Sequence, residues 1–431
     1  MYSVERQAKD IVYVDAEEGL SLRLPEYRFA GIVTPPRFSS PSSGFIDAAF
    51  DFPVKSPRLR NIATGRKKAV ILVSDSTRSV PTAKVLPRIM KELGEAGMTS
   101  RNVSLVVAIG VHRRATEEEM REIVGNELWG HLRIENHDPY DPAKLVDLGE
   151  TSFGTPVQVN RSVYEADLRI VVGKVEPHEF AGFSGGRKSV LPGISSEKTV
   201  EINHRPEMIL HPKAVIGEWQ DNPVSRDMAE AARMLGVDFC VNILVDPQNN
   251  PICVVCGDLG ESHALAIEKI RESTGIPLKE RPRIVVTTPG FPLNINFYQS
   301  MKAIIATAPV MAENGVIILY SRCAEGTGSD DMLLPFEKGN DIDDVLEFLF
   351  RHYRIQMDHA LLLCKILQSG TRIVVVSPNI SFDTIRKMRL LPAATLEEAL
   401  KIASEACGDD EKILFFPCPQ RTLPFISEER M

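Results

Sequence analysis

Short β-branched runs recur along this chain and alternate with amphipathic helical stretches, a pattern that joins parallel strands through helical crossovers. The strand candidates are KAVILVS (68–74), VSLVVAI (103–109), LRIVVGK (168–174), FCVNILV (239–245), RIVVTTP (283–289), GVIILYS (315–321), RIVVVSP (372–378) and KILFFP (412–417). Their hydrophobicity is nearly continuous, as expected of strands covered on both faces. Between them, KVLPRIMKELGEAG (84–97) reads as a helix stopped by Gly97, and TEEEMREIV opens with a capping box of Thr116 and Glu119. SRDMAEAARMLG (225–236) and ESHALAIEKIREST (261–274) are amphipathic at helical spacing. The periodicity breaks at GIPLKERPR (275–283), where Gly, two Pro and several charges intervene. The expected fold is therefore α/β, two α/β domains with mainly parallel sheets; an active-site cleft between them is a further expectation, not one the periodicity gives. The boundaries implied are 1–277 and 278–431, with the last residues free to return to the first domain.

Length and charge narrow the function classes. At 431 residues the chain holds two or three domains. Fifty Lys and Arg against 58 Asp and Glu leave a net charge of −8 without basic runs, so there is no broad footprint for nucleic acid. A few local cations can still hold a small anion. No apolar stretch approaches the ~20 residues of a membrane helix, and MYSVERQAKD has charges where a secretory signal needs an apolar core. The expected location is cytoplasmic, with no membrane partner. The 7 Cys lack framework spacing. Cys253 and Cys256 alone stand at CxxC spacing, inside a strand-like run with no second pair or nearby His, and read as structural rather than zinc-binding.

Open α/β sheets carry ligands at the carboxyl ends of their strands. Three segments leave candidate strands in that way. Ser74-Asp75-Ser76-Thr77-Arg78 puts an acid, hydroxyls and a guanidinium at one strand end. Arg78 can grip a carboxylate or phosphate with two parallel hydrogen bonds, although the same residues also favour a plain turn. Gly110-Val111-His112-Arg113 places an imidazole at a strand-to-helix corner, where a solvated loop His is the bland alternative. The segment Glu176–Ser189 reads EPHEFAGFSGGRKS. Its Gly182, Gly185 and Gly186 allow close approach of backbone to an anion, and His178, Arg187 and Lys188 exceed what a structural turn needs. The ending resembles a P-loop but has Arg187 where the second Gly belongs. His204 follows in EINHRP, near the end of a helix starting around Ser196. In the second domain, Asn296 can cap a helix on which Tyr298, Gln299 and Lys302 share one face.

Taken together and in this order, SDSTR, the GVHR corner, the HEFAGFSGGRK loop, the NH at 203–204 and the YQSMK helix closely resemble the lactate racemase family that uses a nickel-pincer nucleotide. The resemblance spans about residues 10–405. It implies a racemase or epimerase of 2-hydroxy acids acting by reversible hydride transfer from substrate C2. Lys188 would carry the nickel pyridinium-3,5-bisthiocarboxylic acid mononucleotide covalently, and His204 would be the protein's nickel ligand. His112 and His178 would be the two acid/bases. Arg78 would hold the substrate carboxylate, with Tyr298, Gln299 and Lys302 closing over the substrate. Asp75 and Thr77 would support the acid/bases or the nucleotide, Phe180 would sit against the cofactor ring, and Gly185 and Gly186 would receive its phosphate. Cofactor-assembly enzymes are the implied protein partners.

The lactate enzymes of that family carry a Trp in the second domain. Here the region reads IQMDHALLLCKIL (355–367), where His359 or a neighbour takes the place, and Trp129 and Trp219 both fall in the first domain. The substrate expected is thus lactate or a larger, more polar 2-hydroxy acid such as malate, hydroxyglutarate or a sugar acid. Two other readings stay open on the residues alone: a nucleotide-dependent transferase or NTPase using 182–189 as a variant phosphate loop, and a non-catalytic nucleotide or nickel binder.

Overall fold

The structure is a computed structural model that describes residues 2–7, 9–16, 18–34 and 41–427. These form two compact units: residues 41–208 with 217–273, and residues 2–34 with 209–216 and 274–427.

The first unit is built on a six-stranded sheet in the spatial order Pro251–Gly257, Phe239–Val245, Leu168–Lys174, Ala69–Ser74, Val103–Ala108 and Arg133–Asn136. All neighbours are parallel except the first two. Residues 69–73 are buried without exception, which is why the strand reads as one apolar run. The helix Thr82–Glu95 buries Val85, Leu86, Ile89 and Leu93; each such side chain contributes about 1.5–3 kcal/mol relative to exposure. Gly97, at φ 87°, turns the chain out of that helix. Thr116 and Glu119 form the reciprocal capping box at the start of Glu117–Val124. From Ala69–Ser74 the chain moves outward on one side, then returns to the other side at Leu168–Lys174. The reversal puts the carboxyl ends of these two strands beside each other, at the switch point where open sheets accept ligands.

The second unit repeats the logic with an all-parallel sheet ordered Leu391–Ala393, Arg372–Val376, Val316–Tyr320, Ile284–Thr288, Ile413–Pro417 and Phe29–Ile32. Its edge strand Phe29–Ile32 comes from the beginning of the chain. So does an antiparallel meander of Tyr2–Gln7, Asp10–Asp15 and Leu20–Pro25. Ile11, Tyr13, Leu20, Leu22 and Leu24 line the meander's buried face, and Tyr13 stacks on Phe415 at 4.3 Å between centroids. Residues 2–34 therefore lie with the later unit, not with the 1–277 segment expected from sequence. Residues 209–216 do too: Lys365 Nζ donates to the carbonyls of His211 (2.9 Å) and Ala214 (3.2 Å), and burial lowers its pKa to about 8.

Cys253 and Cys256 lie on the antiparallel edge strand Pro251–Gly257, and no disulfide forms among the described residues. Among the described residues no helix is long and apolar enough to cross a membrane.

Candidate functional site

At the end of Ala69–Ser74 the chain enters a short turn, Ser76–Arg78, preceded by the buried Asp75. Asp75 Oδ1 accepts from Thr77 Oγ1 at 2.6 Å, and Oδ2 lies 2.7 Å from His112 Nδ1. Burial pushes the Asp75 carboxyl up, but His112, Thr77 and Arg78 more than offset it, and the net shift is downward. Asp75 is thus a carboxylate, which only accepts, so the His112 proton facing it sits on Nδ1. In the neutral ring the lone pair is then on Nε2, the arrangement of a carboxylate-oriented base. The His112 side chain is 42% exposed, open to a ligand. The Arg78 guanidinium makes no hydrogen bond or ion pair among the described residues, which leaves its two-pronged donor edge for an anion. The corner that carries His112 is pinned by Gly110 N–H donating to Gly193 O at 2.8 Å, just beyond the glycine-rich segment.

That segment follows Leu168–Lys174. Pro177–His178 pairs antiparallel with Gly182–Phe183, a hairpin closed tightly at Gly182. Its φ is +76°, and a Cβ there would lie 1.8 Å from Glu218 O, so no other residue fits. The hairpin sets His178 against Lys188: Lys188 Nζ donates to His178 Nε2 at 2.9 Å. His178 Nδ1 lies 3.3 Å from Glu179 Oε2. Phe180 is the hub of the cluster. It meets the His178 ring edge-on at 4.9 Å and the His204 ring at 5.1 Å, and Lys188 Nζ stands 5.7 Å from its centroid. Gly185 and Gly186, both at positive φ, start the turn that carries Lys188.

His204 ends the helix Glu197–Asn203, which Ser196 caps. It is buried, and its Nδ1–H donates to Val200 O at 3.0 Å, so in the neutral ring Nε2 carries the lone pair. Asn203 beside it donates to the buried Asp227 at 2.8 Å. Thr151 and Thr155 donate to the same carboxylate at 2.7 and 2.6 Å. Asp227 was not singled out from sequence. It sits in an ordinary helical run, and no local pattern announces partners as distant as Thr151.

In the second unit, Asn296 caps Phe297–Thr307 by accepting from Gln299 N–H at 2.9 Å, as its position suggested. Tyr298, Gln299 and Lys302 are half-buried on this helix. Tyr298 OH donates to Asp358 Oδ1 at 3.2 Å, and its ring lies 4.0 Å from that of His359. His359 Nδ1 is 3.2 Å from the same Asp358 oxygen, while its buried Nε2 has no hydrogen-bond partner among the described residues. The Tyr298 helix and His359 thus meet, joined by Asp358, which no local sequence pattern announces.

Within the first unit, then, Asp75, Thr77, Arg78 and His112 form one group, and His178, Phe180, Lys188 and His204 form another around the Gly185–Gly186 turn. Comparison with known proteins identifies the family. Residues 16–217 match the lactate racemase N-terminal domain and residues 279–418 the lactate racemase C-terminal domain. A lactate racemase of Thermoanaerobacterium thermosaccharolyticum is 31% identical over 92% of this chain and 95% of its own length. One from Lactiplantibacillus plantarum is 32% identical over 86% of this chain and 88% of its own. The structure of the T. thermosaccharolyticum lactate racemase apoprotein superposes with a TM-score of 0.87 at 32% identity, covering 94% of this chain and 97% of that one. A protein from Thermotoga maritima shares the fold alone, with a TM-score of 0.64 at 20% identity over 87% of this chain and 100% of that one. The chain belongs to the lactate racemase family and is a racemase, an isomerase by class.

Proposed function

We propose that this racemase interconverts the stereoisomers of a 2-hydroxy acid, using a nickel-pincer nucleotide tethered to Lys188. The observation that carries the reading is the cluster of Lys188, His178 and His204 around the single ring of Phe180. It offers an amine for covalent attachment, an imidazole in contact with that amine, and a second imidazole with its lone pair on Nε2. The donor set suits such a group. Among the described residues no three His, Cys, Asp or Glu gather as a metal site, so a nickel ion at His204 would draw its remaining donors from the tethered nucleotide. Phe180 would cover its ring face, and the backbone N–H groups at Gly185 and Gly186 would meet its phosphate. When bound, this cofactor supplies a reversible acceptor for the hydrogen on substrate C2.

The chain's own residues supply the rest. Arg78 holds the substrate carboxylate, fixing C2 while its configuration changes. For one stereoisomer, His112 Nε2 takes the hydroxyl proton while Asp75 stabilises the charge that develops on the ring. For the other, whose hydroxyl points to the opposite side, His178 does the same. Each imidazole returns the proton in the reverse direction. Tyr298, Gln299 and Lys302 are proposed to bind the substrate as well. With both Trp residues in the first unit and the polar pair Asp358–His359 beside Tyr298, a substrate larger or more polar than lactate is favoured. The protein would work in the cytoplasm and depend on cofactor-assembly enzymes.

The test is intact and tryptic mass with metal analysis on protein produced alongside those assembly enzymes. A mass increase on Lys188 with about one nickel per chain supports the reading. An unmodified Lys188 with ATP turnover would select a nucleotide-dependent transferase instead.

A further inference from the structure

Arg187, the residue that spoils the P-loop pattern, precedes Lys188 but faces the interior and is 4% exposed. Its Nη2 donates to Ser225 Oγ at 2.6 Å, and its Nη1 lies 2.8 Å from Nδ1 of His263, itself 3% exposed on the helix Leu259–Thr274. The other nitrogen of His263, Nε2, lies 2.8 Å from Ser184 O. A guanidinium can only donate and a carbonyl can only accept. The imidazole must therefore be neutral, with its lone pair on Nδ1 and its proton on Nε2. One ring thereby ties both sides of the glycine turn: Ser184 before it and Arg187 after it. It also abuts the turn, because a Cβ on Gly186 would lie 3.0 Å from two of its ring carbons. Burial and the Arg187 charge lower the His263 pKa to about 3, only partly offset by the Ser184 carbonyl, so the ring keeps this role at any working pH.

From this geometry we infer that His263 and Arg187 are positioning residues, which set residues 184–188 so that the Lys188 amine stands against His178. The inference rests on the reading of Lys188 as the tether. His263 reaches the cluster around Phe180 only by way of this loop, whereas Arg187 Nη2 also donates to Ala181 O at 3.4 Å, tying the loop to the hairpin that carries His178. The clamp differs from generic packing because it requires one acceptor and one donor on the same side chain. An Ala at 263 removes both, whereas a Gln restores an acceptor and a donor on one amide.

The experiment compares wild type, His263→Ala, His263→Gln and Ser225→Ala in the full chain without cofactor. The readout is the rate of Lys188 acetylation by N-hydroxysuccinimidyl acetate, measured by peptide mass spectrometry against the exposed Lys198 as internal reference. Loss of one net hydrogen bond shifts a local equilibrium about fivefold. His263→Ala should change the Lys188 to Lys198 ratio by about that factor, with amide exchange of residues 182–190 accelerated. His263→Gln should recover most of the wild-type ratio, and Ser225→Ala should give a smaller change of the same sign. Unchanged ratios and exchange in Ser225→Ala and His263→Ala, or failure of Gln to recover anything, overturn the clamp. If His263→Ala does not fold, the Gln and Ser225→Ala ratios decide alone. Cofactor loading is read separately: a wild-type chain that never gains mass at Lys188 overturns the tether reading, while the acetylation ratios still decide whether the loop is clamped.

Discussion

Replacing Asp75 by Asn keeps the shape of the side chain and removes the charge that orients His112. The lost contact is a 2.7 Å charge-assisted hydrogen bond on a carboxylate that is 5% exposed, so solvent cannot replace it. Bonds of this kind contribute about 1.5–3 kcal/mol, or roughly 10- to 150-fold in rate if the whole of it is felt in the transition state. The amide adds a second fault. If it turns its NH2 toward His112, the ring must present a lone pair at Nδ1 and carry its proton on Nε2, where the base is needed. The expected outcome is a kcat for Asp75→Asn lower by about 100-fold with KM within about threefold, because in the proposed function Arg78 and not Asp75 would hold the substrate carboxylate. The assay is the initial rate of inversion from each stereoisomer separately, by chiral chromatography, normalised to the Lys188-loaded fraction from intact mass. For a pair of enantiomers the solution equilibrium constant is one, so kcat/KM must fall by the same factor in both directions. A loaded Asp75→Asn enzyme with kcat within about twofold of wild type would refute the assignment of His112 as an Asp75-oriented base.

Arg78→Lys should raise KM by about 10- to 100-fold with a smaller loss in kcat, since an ammonium cannot reproduce a two-pronged grip; an unchanged KM would remove Arg78 from the substrate. Lys188→Ala should abolish the covalent mass increase, and a variant that still gained it would place the tether elsewhere. His137 and His263 are both buried and neutral, with pKa values lowered from 6.5 to about 4 and about 3. The unfolded chain binds protons at these sites below pH 6.5 while the folded chain does not, so stability is present in full above that pH and is lost on acidification toward pH 4. Each site contributes a slope of about 1.4 kcal/mol per pH unit. Calorimetry between pH 7 and pH 4.5 should show Tm falling, and His137→Gln should flatten the fall; identical slopes would contradict the assignment. Asp227→Ala strands three donors and should cost about 3 kcal/mol or more; if His204 holds nickel as proposed, nickel content should fall too, because the helix ending in His204 loses its anchor. A variant with wild-type Tm and metal content would exclude that role.

What could be read from sequence was local in origin. The strands Ala69–Ser74 and Leu168–Lys174 are apolar because both their faces are covered, and the residues proposed to do chemistry follow them directly. Thr116, Gly97 and Asn296 announce helix ends because capping is a short-range hydrogen-bond problem. Arg133–Asn136 escaped notice because an edge strand of sequence RIEN needs no apolar run. Asp227, His263 and Asp358 escaped for a different reason. Each matters through a partner far away in the chain, and nothing in the neighbouring residues records it. His359 was flagged only through the missing Trp, and its contact with Tyr298 required coordinates. The placement of residues 2–34 was illegible in the same way, since the aromatic partner of Tyr13 is Phe415.

The pairing of Phe29–Ile32 with Ile413–Pro417 also imposes a schedule on biosynthesis. The opening meander leaves the ribosome with an apolar face whose core, shared with residues of strands 284–288, 316–320, 372–376 and 413–417, is complete only when the last of these is translated, a delay of roughly 20–80 s at usual elongation rates. During that interval the nascent sheet is a sticky, unfinished surface, and holding chaperones would be most needed there. Translation pauses placed late in the message should therefore lower soluble yield more than pauses placed early.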